Sequence, residues 1–325
     1  MHEFFVGTRY KFMARRKFCY ALSALLCVIT TISLIAHGGP RKSVDFTGGN
    51  VLTVAFDKPT TVDAVRDAVE KEHLESAEVQ MAEANTQSII RFRVTEEDSA
   101  PANNENLSNV ETVFPRFQAQ MQQKGVGTTL LSLETVGPKI GKELGQKAVL
   151  AILWSQFLIL LYIAWRFRRW SFGIGAVVAL LHDVYIALGV LSIFNREISL
   201  TVIAAFLTIS GYSVNDTIVV FDRIRENIGL LRRMSFAEVI DKSVNQTLSR
   251  TFLTAGLTLM SVIALFFLGG PVIRDFSLAL LVGFVVGVYS SIYVAGAIGM
   301  DLSNWWTRRK ARAESRTPKT AAVSS

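Results

Sequence analysis

Residues 198–221 read ISLTVIAAFLTISGYSVNDTIVVF. The run is long enough to cross a bilayer, whose hydrocarbon core needs roughly 20 apolar residues in a helix. It nevertheless holds Asn215 and Asp216 in its second half. A carboxylate near the middle of a bilayer costs roughly 2.5–3.5 kcal/mol on insertion scales, which a sequence tolerates where the group packs among helices and has a partner or a task. Thr208, Tyr212, Asp216 and Arg223 recur at helical spacing and form a polar stripe on one face. Ser210, Gly211 and Ser213 are small enough to let a neighbouring helix come close. Two roles are open to Asp216 at this level. It can bind and release a proton, or it can be a hydrogen-bonded packing group.

Working outward, five more apolar runs qualify as spans: 18–36, 148–165, 170–194, 252–269 and 276–300. The 325-residue chain is 50% hydrophobic and only 19% charged, with a mean hydropathy of +0.34. The expected fold class is a polytopic α-helical membrane protein with six transmembrane helices and a small α+β domain between the first two. The first run exceeds the roughly 7–15 apolar residues of a signal-peptide core, and His37-Gly38-Gly39-Pro40 offers no small-x-small cleavage site. It reads as a retained anchor. Arg9, Lys11, Arg15, Arg16 and Lys17 precede it, and Arg166, Arg168 and Arg169 separate runs two and three. Arg223, Arg225, Arg232, Arg233, Lys242 and Arg250 separate runs four and five, and Arg308, Arg309, Lys310 and Arg312 follow the last. By the positive-inside rule both termini (1–17 and 301–325) are cytoplasmic and 37–147 is external. This placement also accounts for the net charge of +7 without nucleic acid. Asp222, Arg223, Arg225 and Glu226 lie at or beyond the interface, where salt bridging suits them better than catalysis.

The external segment alternates recognisably. Residues 51–56 (VLTVAF) read as a strand, and 62–74 place Val62, Val65 and Val69 at helical spacing after Thr61. Two strands, 77–84 and 88–94, flank a turn at Asn85 and Thr86, and 99–109 (SAPANNENLSN) is a polar loop. Residues 110–123 form a second helix that Pro115 is expected to shorten or kink. Residues 128–136 (TTLLSLETV) close the unit. The order β-α-β-β-α-β is that of a ferredoxin-like unit. No His/Cys spacing suits a metal and no Ser-His-Asp set stands out, so no catalytic residue, metal or cofactor is expected. His73 lies in a charged helix and reads as a solvated residue. Cys19 and Cys27 sit in one helix about 12 Å apart, too far for a disulfide.

His182 and Asp183 fall in the middle of run three. As sequence neighbours they point about 100° apart on a helix, so one can face run four and the other a partner subunit. His182 suits a proton relay or a structural hydrogen bond. Arg250, at the start of run five, can snorkel to the interface or turn toward Asp216.

GYSVNDTIVVFDRIREN (211–227) resembles the signature of the SecF family of the bacterial SecDF protein-export complex. VDFTGGNVL (44–52) is similar to that family's DF-x-GG motif, and ETVGPKIGKEL (134–144), LLHDV (180–184) and NQTLSRT (245–251) fit as well. The resemblance runs from about residue 5 to 300; the basic tail after Trp306 has no matching feature and its composition suits disorder. The resemblance implies an RND-type half-bundle in the bacterial plasma (inner) membrane. It implies SecD as a partner supplying six more helices, association with the SecYEG channel and YajC, and an unfolded polypeptide as client. It further implies a transport subunit driven by the proton motive force rather than an enzyme, with Asp216 and Arg250 conducting protons. Asp183 and His182 are further relay candidates, and Tyr212, Asn215, Thr217, Asp222 and Arg223 are supporting ones. Asp45, Gly48, Gly49, Gly137 and Pro138 belong to the turn motifs. Gly48 and Gly49 are expected to permit a tight turn into the first strand, and Gly137-Pro138 to mark the corner toward the second span. Two other readings stand beside this one: a non-conducting assembly subunit, and a small RND-type exporter, for which the external segment is short.

Overall fold

The computed structural model describes residues 8–71, 77–82, 85–92, 105–167 and 170–316. The expectations for His73, for loop residues 99–104, for Arg168 and Arg169 and for the tail beyond 316 lie outside these residues.

A 3-10 turn, Met13–Arg15, leads into α1 (Arg16–Ala36). After a short connection comes a one-turn helix, α2 (Val44–Thr47), then β1 (Gly49–Phe56), α3 (Val62–Glu70), β2 (Glu78–Ala82) and β3 (Gln87–Phe92). The unit ends with α4 (Glu105–Gln123) and β4 (Thr128–Val136). The four strands form one antiparallel sheet in the order β2-β3-β1-β4, the arrangement that a split β-α-β pair produces. Alternation along β1 turns Leu52, Val54 and Phe56 to one face, where they pack with Val65, Val69, Phe117 and Met121 of α3 and α4. Thr61 caps α3 by accepting from the Ala64 amide at 3.3 Å. Two expectations need correction here. The segment 105–109 is helical rather than loop, and α4 runs through Pro115 without interruption. Pro115 is exposed, so its ring points away from the sheet and the cost is confined to α4 itself, a forgone hydrogen bond and crowding of the preceding turn.

The membrane part comprises α5 (Pro138–Phe167), α6 (Trp170–Ile193), α7 (Leu200–Leu230) and α8 (Phe236–Leu268). The last span is α9 (Gly270–Ser290) joined by a π-helical turn, Ser291–Ala295, to α10 (Gly296–Arg316). Among the described residues six helices are long and apolar enough to cross a membrane. Several outrun the apolar stretches that announce them. α5 starts at Pro138, α7 continues to Leu230, and α8 starts at Phe236 behind a capping box made by Ser235 and Glu238. Hydropathy registers the apolar length of a helix, whereas caps and tertiary packing set its ends. Arg250 therefore lies well inside α8 rather than at its start.

α6 is the central helix. Its small residues admit close neighbours: a Cβ on Gly189 would collide with Thr30 of α1, and one on Gly175 would sit 2.7 Å from the Ala295 carbonyl oxygen. The same device joins the sheet to the bundle. Gly48 has φ +75°, and a Cβ there would lie 2.6 Å from Pro138 Cα. A Cβ on Gly141 would lie 3.0 Å from the Gly48 nitrogen. The two glycine motifs, far apart in sequence, thus form one joint at the foot of β1. Gly49 (φ +140°) completes the turn. Gly137 is different: it has neither a positive φ nor a neighbour within 4 Å, and the corner is made by Pro138 at the first position of α5.

Candidate intramembrane polar site

Asp216 is 3% exposed, and its Oδ2 finds no hydrogen-bond donor among the described residues. One turn earlier Tyr212 stacks on Phe284 at 4.2 Å. Its hydroxyl turns toward Thr254 and Thr258 of α8, short of a hydrogen bond. Arg250, also on α8, is the cation whose field reaches Asp216. Its side chain is exposed and no direct ion pair joins the two.

A second buried carboxylate has the opposite character. Asp183 is fully buried and accepts three hydrogen bonds: from Ser213 Oγ of α7 at 2.7 Å, from Ser290 Oγ of α9 at 2.7 Å, and with His182 Nδ1 at 3.0 Å. Of the directions the sequence left open to His182 and Asp183, Asp183 takes the one toward α7. Both stay inside this chain, and the short Asp183 side chain comes back to the imidazole. His182 is 8% exposed with its ring 6.3 Å from that of Tyr289, and its Nε2 has no partner among the described residues. Asp183 ties three helices together, with every near donor committed to it.

Around these two carboxylates the other named residues separate. Thr217 Oγ1 meets Ser291 Oγ at 3.0 Å, inside the bundle. Asn215 faces outward, as do Thr208 and Gly211. A Cβ on Gly211 would meet nothing within 4 Å, so no helix among the described residues uses its smallness, whereas Ser210 and Ser213 do bond across helices. Asp222 pairs with Arg166 at 3.1 Å and Arg225 at 3.0 Å. Arg223 bonds Gln246 Oε1 and Glu226 Oε2, both at 2.7 Å. These interfacial charges hold helices together at the end of the bundle and do not converge on Asp216.

Sequence reading missed three parts of the site. Gln156 Nε2 of α5 donates to Ser210 Oγ at 2.9 Å, Ser290 completes the ring of donors on Asp183, and Asn227 Nδ2 donates to Ser243 Oγ at 2.9 Å. Each is a neutral polar group, Gln156 and Ser290 in apolar runs and Asn227 behind a charged stretch, and its partner becomes evident only in three dimensions.

Two family profiles match the chain: "SecD/SecF GG Motif" over residues 33–60 and "Protein export membrane protein SecD/SecF, C-terminal" over 106–305. Protein translocase subunit SecF of Haemophilus influenzae is 43% identical over 90% of this chain and 86% of its own length. The chain belongs to the SecF family. Among its relatives is SecF of Vibrio alginolyticus, 41% identical over 90% of this chain and 89% of the relative. Protein translocase subunit SecDF of Thermus thermophilus is 41% identical over 96% of this chain, which spans 40% of that longer protein. A crystal structure of the Thermus SecDF, described as a translocon-associated membrane protein, superposes with a TM-score of 0.78 at 39% identity, over 92% of this chain and 39% of that one. A second crystal structure, of SecDF in a super-membrane-facing form, gives a TM-score of 0.66. This SecF-family chain is a multi-pass helical protein of the bacterial membrane.

Proposed function

We propose that this chain is an auxiliary subunit of Sec protein export in which Asp216 takes up and releases the proton that drives late translocation steps. The observation that carries the proposal is the contrast between the two buried carboxylates. Asp183 is saturated with donors, so changing its ionisation would disrupt three helices. Asp216 has an uncommitted buried oxygen, so gaining a proton breaks no bond there. Asp183 and His182 accordingly serve as a clamp on α6, α7 and α9, not as the relay. Arg250 is near enough for its field to reach Asp216 yet makes no ion pair with it, so the two can pair in one state and part in another.

The outward face of α7 carries Thr208, Gly211 and Asn215 without cover from the described residues. SecD lies against that face and completes the proton path, in keeping with the fused SecDF relative. The sheet unit is external, both termini are cytoplasmic, and the assembly works on an unfolded polypeptide beside the SecYEG channel, with YajC in attendance. It is a transport subunit and turns over no chemical substrate. One proton crossing 100 mV supplies about 2.3 kcal/mol, enough to shift a two-state equilibrium by about fiftyfold.

The test is Asp216→Asn in cells whose only copy of the subunit is this chain. Export of a secreted reporter and gradient-driven proton entry into membrane vesicles should both fall by at least about tenfold, a coupling loss of the usual allosteric size. Undiminished export and flux would reject the proposal.

A further inference from the structure

The DF-x-GG stretch, Asp45 to Gly49, does more than turn the chain. Its acidic residue makes a longer-range contact. Asp45 Oδ2 accepts a hydrogen bond from the Leu200 amide at 2.8 Å. Leu200 is the first residue of α7, the helix that carries Asp216. Around this contact the backbone is laced: Ser43 N donates to Ile198 O at 2.9 Å and Ile198 N donates to Arg41 O at 2.7 Å, a parallel bridge between Lys42 and Ile198. On its other side the stretch is wedged by Gly48 against Pro138 and Gly141 at the start of α5, and it passes directly into β1, which is hydrogen-bonded on both edges.

We infer that Asp45 is a positioning residue that couples α7 to the external sheet. It holds the first amide of the Asp216 helix to the foot of β1. Three physical points support this. A helix N-terminus has free amides and partial positive charge, so a carboxylate there makes a charge-assisted bond. Ser199 already caps Val202 N at 3.3 Å, so Asp45 supplies a second acceptor, from a different structural unit, that the helix needs for no cap of its own. Leu200 and Asp216 are on one continuous helix, about 24 Å apart along its axis at 1.5 Å per residue, so a shift of α7 at Asp216 reaches Asp45 with no intervening hinge. As a statement about coupling to proton movement the inference rests on the proposed role of Asp216; as a statement about the joint it does not.

The geometry offers an unusually clean variant. Leu200→Pro removes the donor at the cost of an exposed leucine side chain: proline suits the first helical position, and Ser199 already has the extended backbone (φ −108°, ψ 173°) that a following proline requires. The experiment uses the full chain in membranes of cells lacking another copy, with Cys19 and Cys27 replaced by alanine and spin labels at Thr129 on β4 and Phe194 at the end of α6, both exposed. Asp45→Ala and Leu200→Pro should each broaden the label-to-label distance distribution about twofold and lower export about tenfold, the equivalent of one hydrogen bond to a charged group. The double variant should be no worse than either single one, and Asp45→Asn, which keeps an acceptor, should stay within about twofold of the parent. A narrow distribution with full export in Leu200→Pro, or additive losses in the double variant, would overturn the inference. If Asp216→Asn leaves export intact, the proton reading fails alone, because the distance distributions still decide the joint.

Discussion

Asp183 shows how a single side chain can organise a membrane bundle. With three donors from three places in the chain, it stands where lipid-facing residues would leave α6, α7 and α9 free to slide. Removing one member of a buried network leaves the others unpaired, which costs more than the bond itself is worth. Asp183→Ala strands His182, Ser213 and Ser290 together and should lower stability by about 3–5 kcal/mol. Thermal unfolding of the detergent-solubilised full chain, followed by loss of monodisperse protein on heating, should show a markedly lower midpoint. Asp183→Asn keeps one acceptor and should fall between the two. Equal midpoints for Asp183→Ala and the parent would show the clamp to be energetically idle. The sequence announced Asp183 and Asp216 through their chemistry, since an acid in an apolar run stands out. It could not separate their roles, because the difference lies in Ser213 and Ser290, which only the packing of α7 and α9 brings to Asp183.

At the scale of elements, the apolar runs located every span, and the strand and helix periodicities located the sheet unit in its proper order. The ends were less legible. α8 begins at Phe236 because Ser235 and Glu238 cap it, a local signal overshadowed by the hydrophobic stretch that starts at Phe252. α4 begins at Glu105 despite the polar residues 105–109, whose low hydropathy resembles a loop. Pro115 in the same helix is the clearest conflict between local preference and observed structure. An interior proline costs a helix about 3 kcal/mol relative to alanine, and this one is exposed, so alanine can replace it without a clash. Pro115→Ala should therefore slow hydrogen exchange of the α4 amides by about tenfold or more. Unchanged exchange would mean that tertiary packing alone sets the stability of this helix.

At the scale of the whole molecule, the sheet unit meets the membrane part at two places of different chemistry. One is the glycine joint with Asp45. The other is a charged cavity of about 200 Å³ lined by Arg41, Gln80, Arg91, Arg196, Glu197 and Asp275. There Glu197, in the loop before α7, receives Arg91 of β3 at 3.0 Å and Arg41 at 3.4 Å, while Arg196 pairs with Asp275 at 3.6 Å. Joint and charge cluster together fix the tilt of the sheet. Glu197→Gln leaves two guanidinium groups facing each other, and a cysteine placed at Gln80 should then react with a water-soluble thiol reagent about tenfold faster, as expected for about 1.4 kcal/mol of lost closure. An unchanged rate would show that the joint alone sets the tilt. No stretch of sequence foretold this cluster, because its members come from four separate segments and each reads as an ordinary surface charge. The π-helical turn Ser291–Ala295 carries a last consequence. Consecutive serines at its start serve different helices, Ser290 at the end of α9 reaching α6 through Asp183 and Ser291 reaching α7 through Thr217, and the i→i+5 bonding that follows them widens the helix by one residue. The turn thus holds one residue more than ordinary winding needs, so losing one residue there should restore regular helix and leave Trp305 and Trp306 close to their present bearing, whereas the same loss elsewhere in the sixth span would rotate everything beyond it by about 100°.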